Sequence, residues 1–137
     1  MSYVLGVDLG TTTVAAATGD ADRVETVSLG DRSVLAPAVV ARRADGVLVT
    51  GDRAARRAAT EPERAAREVR RRLGDPTPVL LGERAEPATD LLAAMLRDVV
   101  DRAVAVRGTR PARVVLAHPA SWGPYRRGLL ELSLIHI

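Results

Sequence analysis

The chain has 137 residues, 47% of them hydrophobic, enough apolar material for one domain or a substantial part of one. Its 20 cationic residues are all Arg against 17 acids, for a net charge of +3. Its aromatics are Tyr3, Trp122 and Tyr125 alone, so the basic, aromatic-rich stripe of a nucleic-acid binder is missing. Cys is absent, which excludes disulfides and thiolate metal sites, and neither a leader pattern nor an apolar run of membrane-spanning length is visible. The expectation is a soluble cytoplasmic protein that engages neither nucleic acid nor membrane. The exclusive use of Arg, with abundant Ala, Val and Gly, reads as a genome-wide composition bias.

In chain order, residues 3–8 form an apolar run closed by Asp8, predicted as a buried strand. Residues 9–12 make a small polar turn, and residues 13–18 return as a strand. After the turn residues 19–22, residues 23–29 alternate as a third strand, completing a meander. Val34–Ala41 is a further strand in which Pro37 requires an edge or a strand start, and Ala44-Asp45-Gly46 turns it into 47–49. From Asp52 to Leu73 the pattern is helical, in two helices with Asp52 and Thr60 as N-caps, Pro62 at the second start and Gly74 past its end. Residues 74–87 are connector with a short strand at 79–81. Thr89 is expected to cap a helix over 90–106 with a wide apolar stripe from Leu91 to Ala103, ended by Gly108. Residues 113–117 are a buried strand, 118–124 a loop, and Tyr125 onward a helix with Ser121 or Gly123 near its cap. The order describes an α/β arrangement with an antiparallel opening.

The chemistry concentrates in Gly6-Val7-Asp8-Leu9-Gly10-Thr11-Thr12-Thr13. A polyphosphate needs a tight glycine turn that brings backbone N–H groups against its oxygens. Gly10 removes the Cβ that would obstruct the approach, and Thr11, Thr12 and Thr13 add hydroxyls. Asp8, at the strand end, can hold Mg²⁺ through its waters, because Mg²⁺ takes few protein carboxylates and retains much of its hydration. The structural alternative is an ordinary hairpin turn. A carboxylate closing an apolar strand is costly when buried unpaired, which favours the functional reading. A Ser121–His118 hydrolase lacks a nucleophile elbow and an orienting acid, and His118 with His136 makes a poor metal site.

This octapeptide resembles the first phosphate loop shared by actin, the sugar kinases and the Hsp70 chaperones. Three further segments resemble the chaperone branch: Ala36–Ala41 with Asp45-Gly46 and Gly51–Ala54, Arg70–Asp75, and Val114–Trp122 followed by Arg126-Arg127. The resemblance covers nearly the whole chain to about Leu130. It implies a ribonuclease H-like, actin-like ATPase fold in incomplete form, with residues 1–131 as the N-terminal part of the nucleotide-binding domain. It also implies ATP and Mg²⁺ as cofactors, with Asp8 in the metal's water shell and Gly10, Thr11, Thr12 and Thr13 around the β- and γ-phosphates. Arg70 falls where the family keeps a catalytic Lys. Arg retains the charge, but its planar fork does not place a point charge as Lys does, so this departure bears on hydrolysis more than on nucleotide binding. Pro119 falls at a loop near the family's interdomain hinge, and Trp122 reads as core packing.

The function implied is the ATP-binding portion of an Hsp70-like chaperone, inactive alone as an ATPase, whose contacts with unfolded polypeptide and co-chaperones lie in regions not present. The alternatives are a fragment of a sugar- or acetate-type kinase, or of a bacterial actin-like filament protein. The two Ile residues of the chain, Ile135 and Ile137, both fall in 132–137, so that tail is expected to be non-native or truncated.

Overall fold

The computed structural model describes residues 2–119 and 122–135. Strands β1 (Val4–Leu9) and β2 (Thr13–Gly19) pair antiparallel from Val4 opposite Gly19 to Leu9 opposite Val14. The alternating pattern does what a period of two requires: Leu5, Val7 and Leu9 turn inward while Gly6 and Asp8 take the other face. β3 (Val24–Thr26) extends the meander, as predicted, and β10 (Arg113–Leu116) joins the free side of β1 in parallel, giving the order β10-β1-β2-β3.

Helix α2 (Ala88–Arg107) covers the inner face of this sheet. Its Leu91, Leu92, Met95, Leu96, Val99, Val100 and Ala103 are buried with Leu5, Val7 and Leu9 in one cluster. Each such Leu or Val contributes about 2 kcal/mol by leaving water. The helix ends at Gly108, whose φ of 80° closes it in the left-handed conformation that glycine adopts without strain. Its start differs from expectation. Pro87 occupies the N-cap position and Thr89 lies inside the helix, with no side-chain cap.

The predicted strand over 34–41 is divided. β4 (Ala36–Pro37) pairs with β2, placing Pro37 opposite Thr13, whereas β5 (Val39–Arg42) belongs to a second sheet. β6 (Leu48–Thr50) returns antiparallel to β5 after the turn at Gly46. Helix α1 (Asp52–Thr60) follows, packing Ala54 and Ala58 against Val39 and Ala41. Asp52 is not its N-cap. Gly51 takes that position, and the Asp52 carboxylate instead accepts from the Asp31 N–H at 2.6 Å. Thr60 closes the helix and donates to the Arg57 carbonyl rather than opening a second one.

The second helix expected from Pro62 to Leu73 is absent. That stretch is a 3₁₀ turn (Pro62–Arg64), strand β7 (Ala65–Arg67) and another 3₁₀ turn (Val69–Arg72). The spacing of Ala66, Val69 and Leu73 suits either a helix or this broken path. The open edge of the fully buried β5 decides between them, because Ala65–Arg67 satisfies its backbone by pairing with Val39–Ala41. Gly82 then links β8 (Val79–Leu81) to an unforeseen partner, β9 (Arg84–Glu86). Helix α3 (Pro124–Ile135) begins at Pro124 and continues past Glu131, the expected boundary of the tail. Ser121 and His136 lie outside the described residues.

Arg107, at the end of α2, ties the helix to the sheet. It donates to Thr18 Oγ1 at 2.8 and 3.1 Å and to Asp20 Oδ2 at 2.8 Å, and it lies 5.1 Å from the centroid of the Tyr3 ring. The Arg107 hydrogen bond, helped by the Asp22 and Arg23 N–H groups, lowers the Asp20 carboxyl to about 2. A folded value below the unfolded one, about 3.9, stabilises fully above that value and is lost as pH falls through the folded one. Asp20→Asn should therefore be less stable than the parent in urea denaturation at neutral pH, with the gap closing between about pH 4 and pH 2. A gap that stays constant across that range contradicts the assignment.

Candidate functional site

The bend between β1 and β2 is closed from within. Gly10 N–H donates to the Thr13 carbonyl at 2.8 Å, and a Cβ on Gly10 would sit 2.5 Å from that same oxygen. Position 10 therefore admits only glycine without moving backbone. The glycine's own N–H is committed to the turn, so the donors left for a ligand come from the residues after it. Among the described residues, the N–H groups of Thr11 and Thr12 and the hydroxyls of Thr11, Thr12 and Thr13 make no hydrogen bond. Thr12 and Thr13 are exposed and Thr11 half-buried.

Neighbouring segments hold the bend in place. The Ala38 N–H donates to the Thr12 carbonyl at 2.9 Å, just where the chain crosses from β4 to β5. On the other side, Arg70 Nη1 donates to the Leu9 carbonyl at 3.3 Å. Arg70 rides on the 3₁₀ turn anchored by Val69, which is 1% exposed. The turn is aimed by Glu68, the residue with a left-handed backbone (φ 53°, ψ 36°) that leads out of β7. Such a conformation costs a non-glycine residue about 1 kcal/mol, and sequence reasoning did not single Glu68 out. The neighbouring arginines point elsewhere. Arg71 pairs with Glu68 at 3.5 Å, and Arg72 donates to the Thr77 carbonyl at 3.2 Å. Of the three, Arg70 is the one whose side chain reaches the bend, the arginine that the sequence had singled out.

Asp8 ends the outward face of β1 with its side chain exposed. It borders a shallow concavity of about 420 Å³ whose other walls include Gly6, Ala15, Ala17, Val115 and Ala117. The small side chains leave the carboxylate accessible. β10 runs parallel to β1, and the Ala117 N–H donates to the Val7 carbonyl at 3.0 Å, so the loop carrying His118 and Pro119 leaves the sheet at the same edge as the 9–13 bend. Ligands of sheets with parallel strands gather at such carboxyl edges. Trp122 is half-buried against the main core, as expected, and its ring stacks on His118 with centroids 6.3 Å apart.

The mixed α/β arrangement, with β10 parallel to β1 and a glycine bend between β1 and β2, is consistent with an incomplete actin-like ATPase fold. A family profile described as Hsp70 protein matches residues 4–121, and the chain belongs to that family. The chaperone protein DnaK of Thermotoga petrophila, and likewise that of Thermotoga maritima, is 28% identical over 126 residues, covering 91% of this chain and 21% of the relative. The same figures hold for DnaK of Thermotoga neapolitana. The chain thus spans about a fifth of the length of the curated relatives it matches. No helix among the described residues is long and apolar enough to cross a membrane.

The closure at Gly10 gives a direct test. Gly10→Ala should destabilise the chain by about 1–3 kcal/mol in urea denaturation, as overpacking against backbone does. Gly6→Ala, whose Cβ would meet nothing nearer than the Ala17 carbonyl at 3.9 Å, should stay within about 0.5 kcal/mol of the parent. Equal effects at the two positions would remove the special status of the bend.

Proposed function

We propose that this chain supplies the phosphate-binding wall of an Hsp70-type nucleotide cleft, and that the protein it represents binds ATP with Mg²⁺ to drive a chaperone cycle on unfolded polypeptide. The observation that carries the reading is the 9–13 bend: tightly closed by protein from beneath, yet presenting free Thr donors and the Asp8 carboxylate to solvent. Had the bend been packed on all sides, the sequence motif would have been a plain turn.

The residues fit the group. Thr11, Thr12 and Thr13 would hold the β- and γ-phosphate oxygens with N–H and hydroxyl donors, and Gly10 would let the bend approach them. Asp8 would hold Mg²⁺ through its waters, in keeping with a single exposed carboxylate. Bound Mg²⁺ supplies neutralisation of phosphate charge. Arg70, already at the Leu9 carbonyl, would extend its remaining donors toward the γ-phosphate from the base of the bend. Its fork binds and orients phosphate but distributes its charge over a plane, whereas a Lys ammonium concentrates it. Arg70 therefore favours binding over hydrolysis. Contacts with ADP, unfolded polypeptide and co-chaperones, and a cytoplasmic setting, belong to the same proposal.

With this chain joined to the remainder of an Hsp70-type nucleotide-binding domain, Arg70→Lys should raise the single-turnover rate of ATP hydrolysis by on the order of tenfold, while leaving Mg-ATP affinity nearly unchanged. An unchanged or lower rate counts against Arg70 at the γ-phosphate.

A further inference from the structure

A second charged groove lies away from the 9–13 bend, between the β5–β6 hairpin, β9 and α2. It is an open groove of about 600 Å³, and its walls carry five arginines, Arg42, Arg53, Arg84, Arg97 and Arg102, against two carboxylates, Asp98 and Asp101. The α2 members recur along one face at Arg97, Asp98, Asp101 and Arg102, the spacing of neighbours on a helix surface. Arg53 enters from α1 and Arg84 from β9. No aromatic side chain lines the groove, so nothing there would stack on a base.

Two observations set this groove apart from an ordinary solvated face. The first is Arg42. It is 5% exposed, gives Nη1 to the Gly46 carbonyl and Nη2 to Glu86, and yet keeps an Nε without an acceptor, the one such buried side-chain atom among the described residues. A buried donor left unmade is costly and uncommon, and here it belongs to a residue that lines the groove. The second is a comparison within the molecule. A neighbouring concavity shares Arg53 with the groove, but its other three arginines are neutralised internally: Arg43 meets Asp45 at 2.8 Å, Arg56 meets Asp31 at 2.8 Å and Arg57 meets Glu61 at 2.9 Å. In the groove, Arg102 meets Asp98 at 3.2 Å, but the exposed side chains of Arg53 and Arg84 make neither a hydrogen bond nor an ion pair among the described residues.

We propose that this groove binds a small polyanion bearing adjacent phosphates, held chiefly by the guanidinium groups of Arg53 and Arg84. Guanidinium forks match phosphate oxygens in pairs, and the open groove has room for a diphosphate. The ligand would span from α1 to β9 and so clasp the second sheet to the β8–β9 hairpin. The site is independent of the nucleotide cleft: its residues share none of the 9–13 bend.

Inorganic pyrophosphate without added metal is the probe, titrated into the 137-residue chain at low ionic strength by calorimetry and followed by amide and Arg Nε resonances. The expected result is binding that moves the Arg53 and Arg84 signals and leaves Thr11–Thr13 in place. The double variant Arg53→Ala/Arg84→Ala should weaken binding at least about tenfold, the loss of one good charged contact or more. The control Arg23→Ala/Arg127→Ala, which removes the same charge from exposed positions elsewhere, should bind as the parent does. The proposal is overturned if pyrophosphate does not bind, if the Thr11–Thr13 signals move instead, if the two double variants weaken binding equally, or if citrate binds as tightly as pyrophosphate.

Discussion

Gly10 and Thr13 stand so close that the backbone of one leaves no room for a carbon on the other. That closeness fixes more than one turn. With Leu9 opposite Val14 as the last strand pair, the bend has only one register available. A slip by one residue would send Leu5, Val7 and Leu9 to the solvent face and Asp8 into the core. The same closure commits the glycine's amide inward and leaves the threonine donors outward. The packing of β1 on α2 and the chemistry at the end of β1 are therefore two consequences of one constraint.

The surroundings carry this constraint into the rest of the fold. β4 with the adjoining Ala38 amide, and Arg70, reach the bend from two separate parts of the sequence, and each makes its contact through backbone carbonyls or strand pairing rather than through the threonine side chains. Support of this kind holds a site while leaving its ligand-facing groups uncommitted. The cost appears at Glu68, held in a left-handed conformation so that the chain leaving β7 delivers Arg70 to Leu9. Strain of this sort persists where the surrounding structure over-determines it, and here β5 fixes β7 on one side while the buried Val69 fixes the 3₁₀ turn on the other.

What the sequence disclosed follows from where local rules suffice. The β1–β2 hairpin, the long apolar stripe of α2 and its Gly108 stop depend on periodicity and on turn chemistry within a few residues, and they were legible. The stretch from Pro62 to Leu73 was not. Its Ala- and Arg-rich composition favours a helix, and only the distant, buried edge of β5 makes the short strand worth forming. The hairpin partner β9 was hidden likewise, because Arg84-Ala85-Glu86 has no strand signature and gains its place by pairing with β8 and by the Arg42–Glu86 contact. Asp52 had the residue type of a cap, but the Asp31 amide claimed its carboxylate. At the site, Asp8 and the Gly-Thr run were visible as a motif. The singling out of Arg70 from three consecutive arginines also came from the sequence, through the family resemblance, and its contact with Leu9 is what the fold adds.

The central claim is that the 9–13 bend takes a nucleotide's phosphates. Titration of the isotopically labelled chain with Mg-ATP, followed by amide resonances, tests it most directly, since weak binding still shifts the groups that touch the ligand. The account predicts that the amides of Thr11, Thr12 and Thr13 shift together and saturate with Mg-ATP. If those three remain unmoved while Mg-ATP perturbs other parts of the chain, or if nothing moves at all, the bend is a structural turn and the account is wrong.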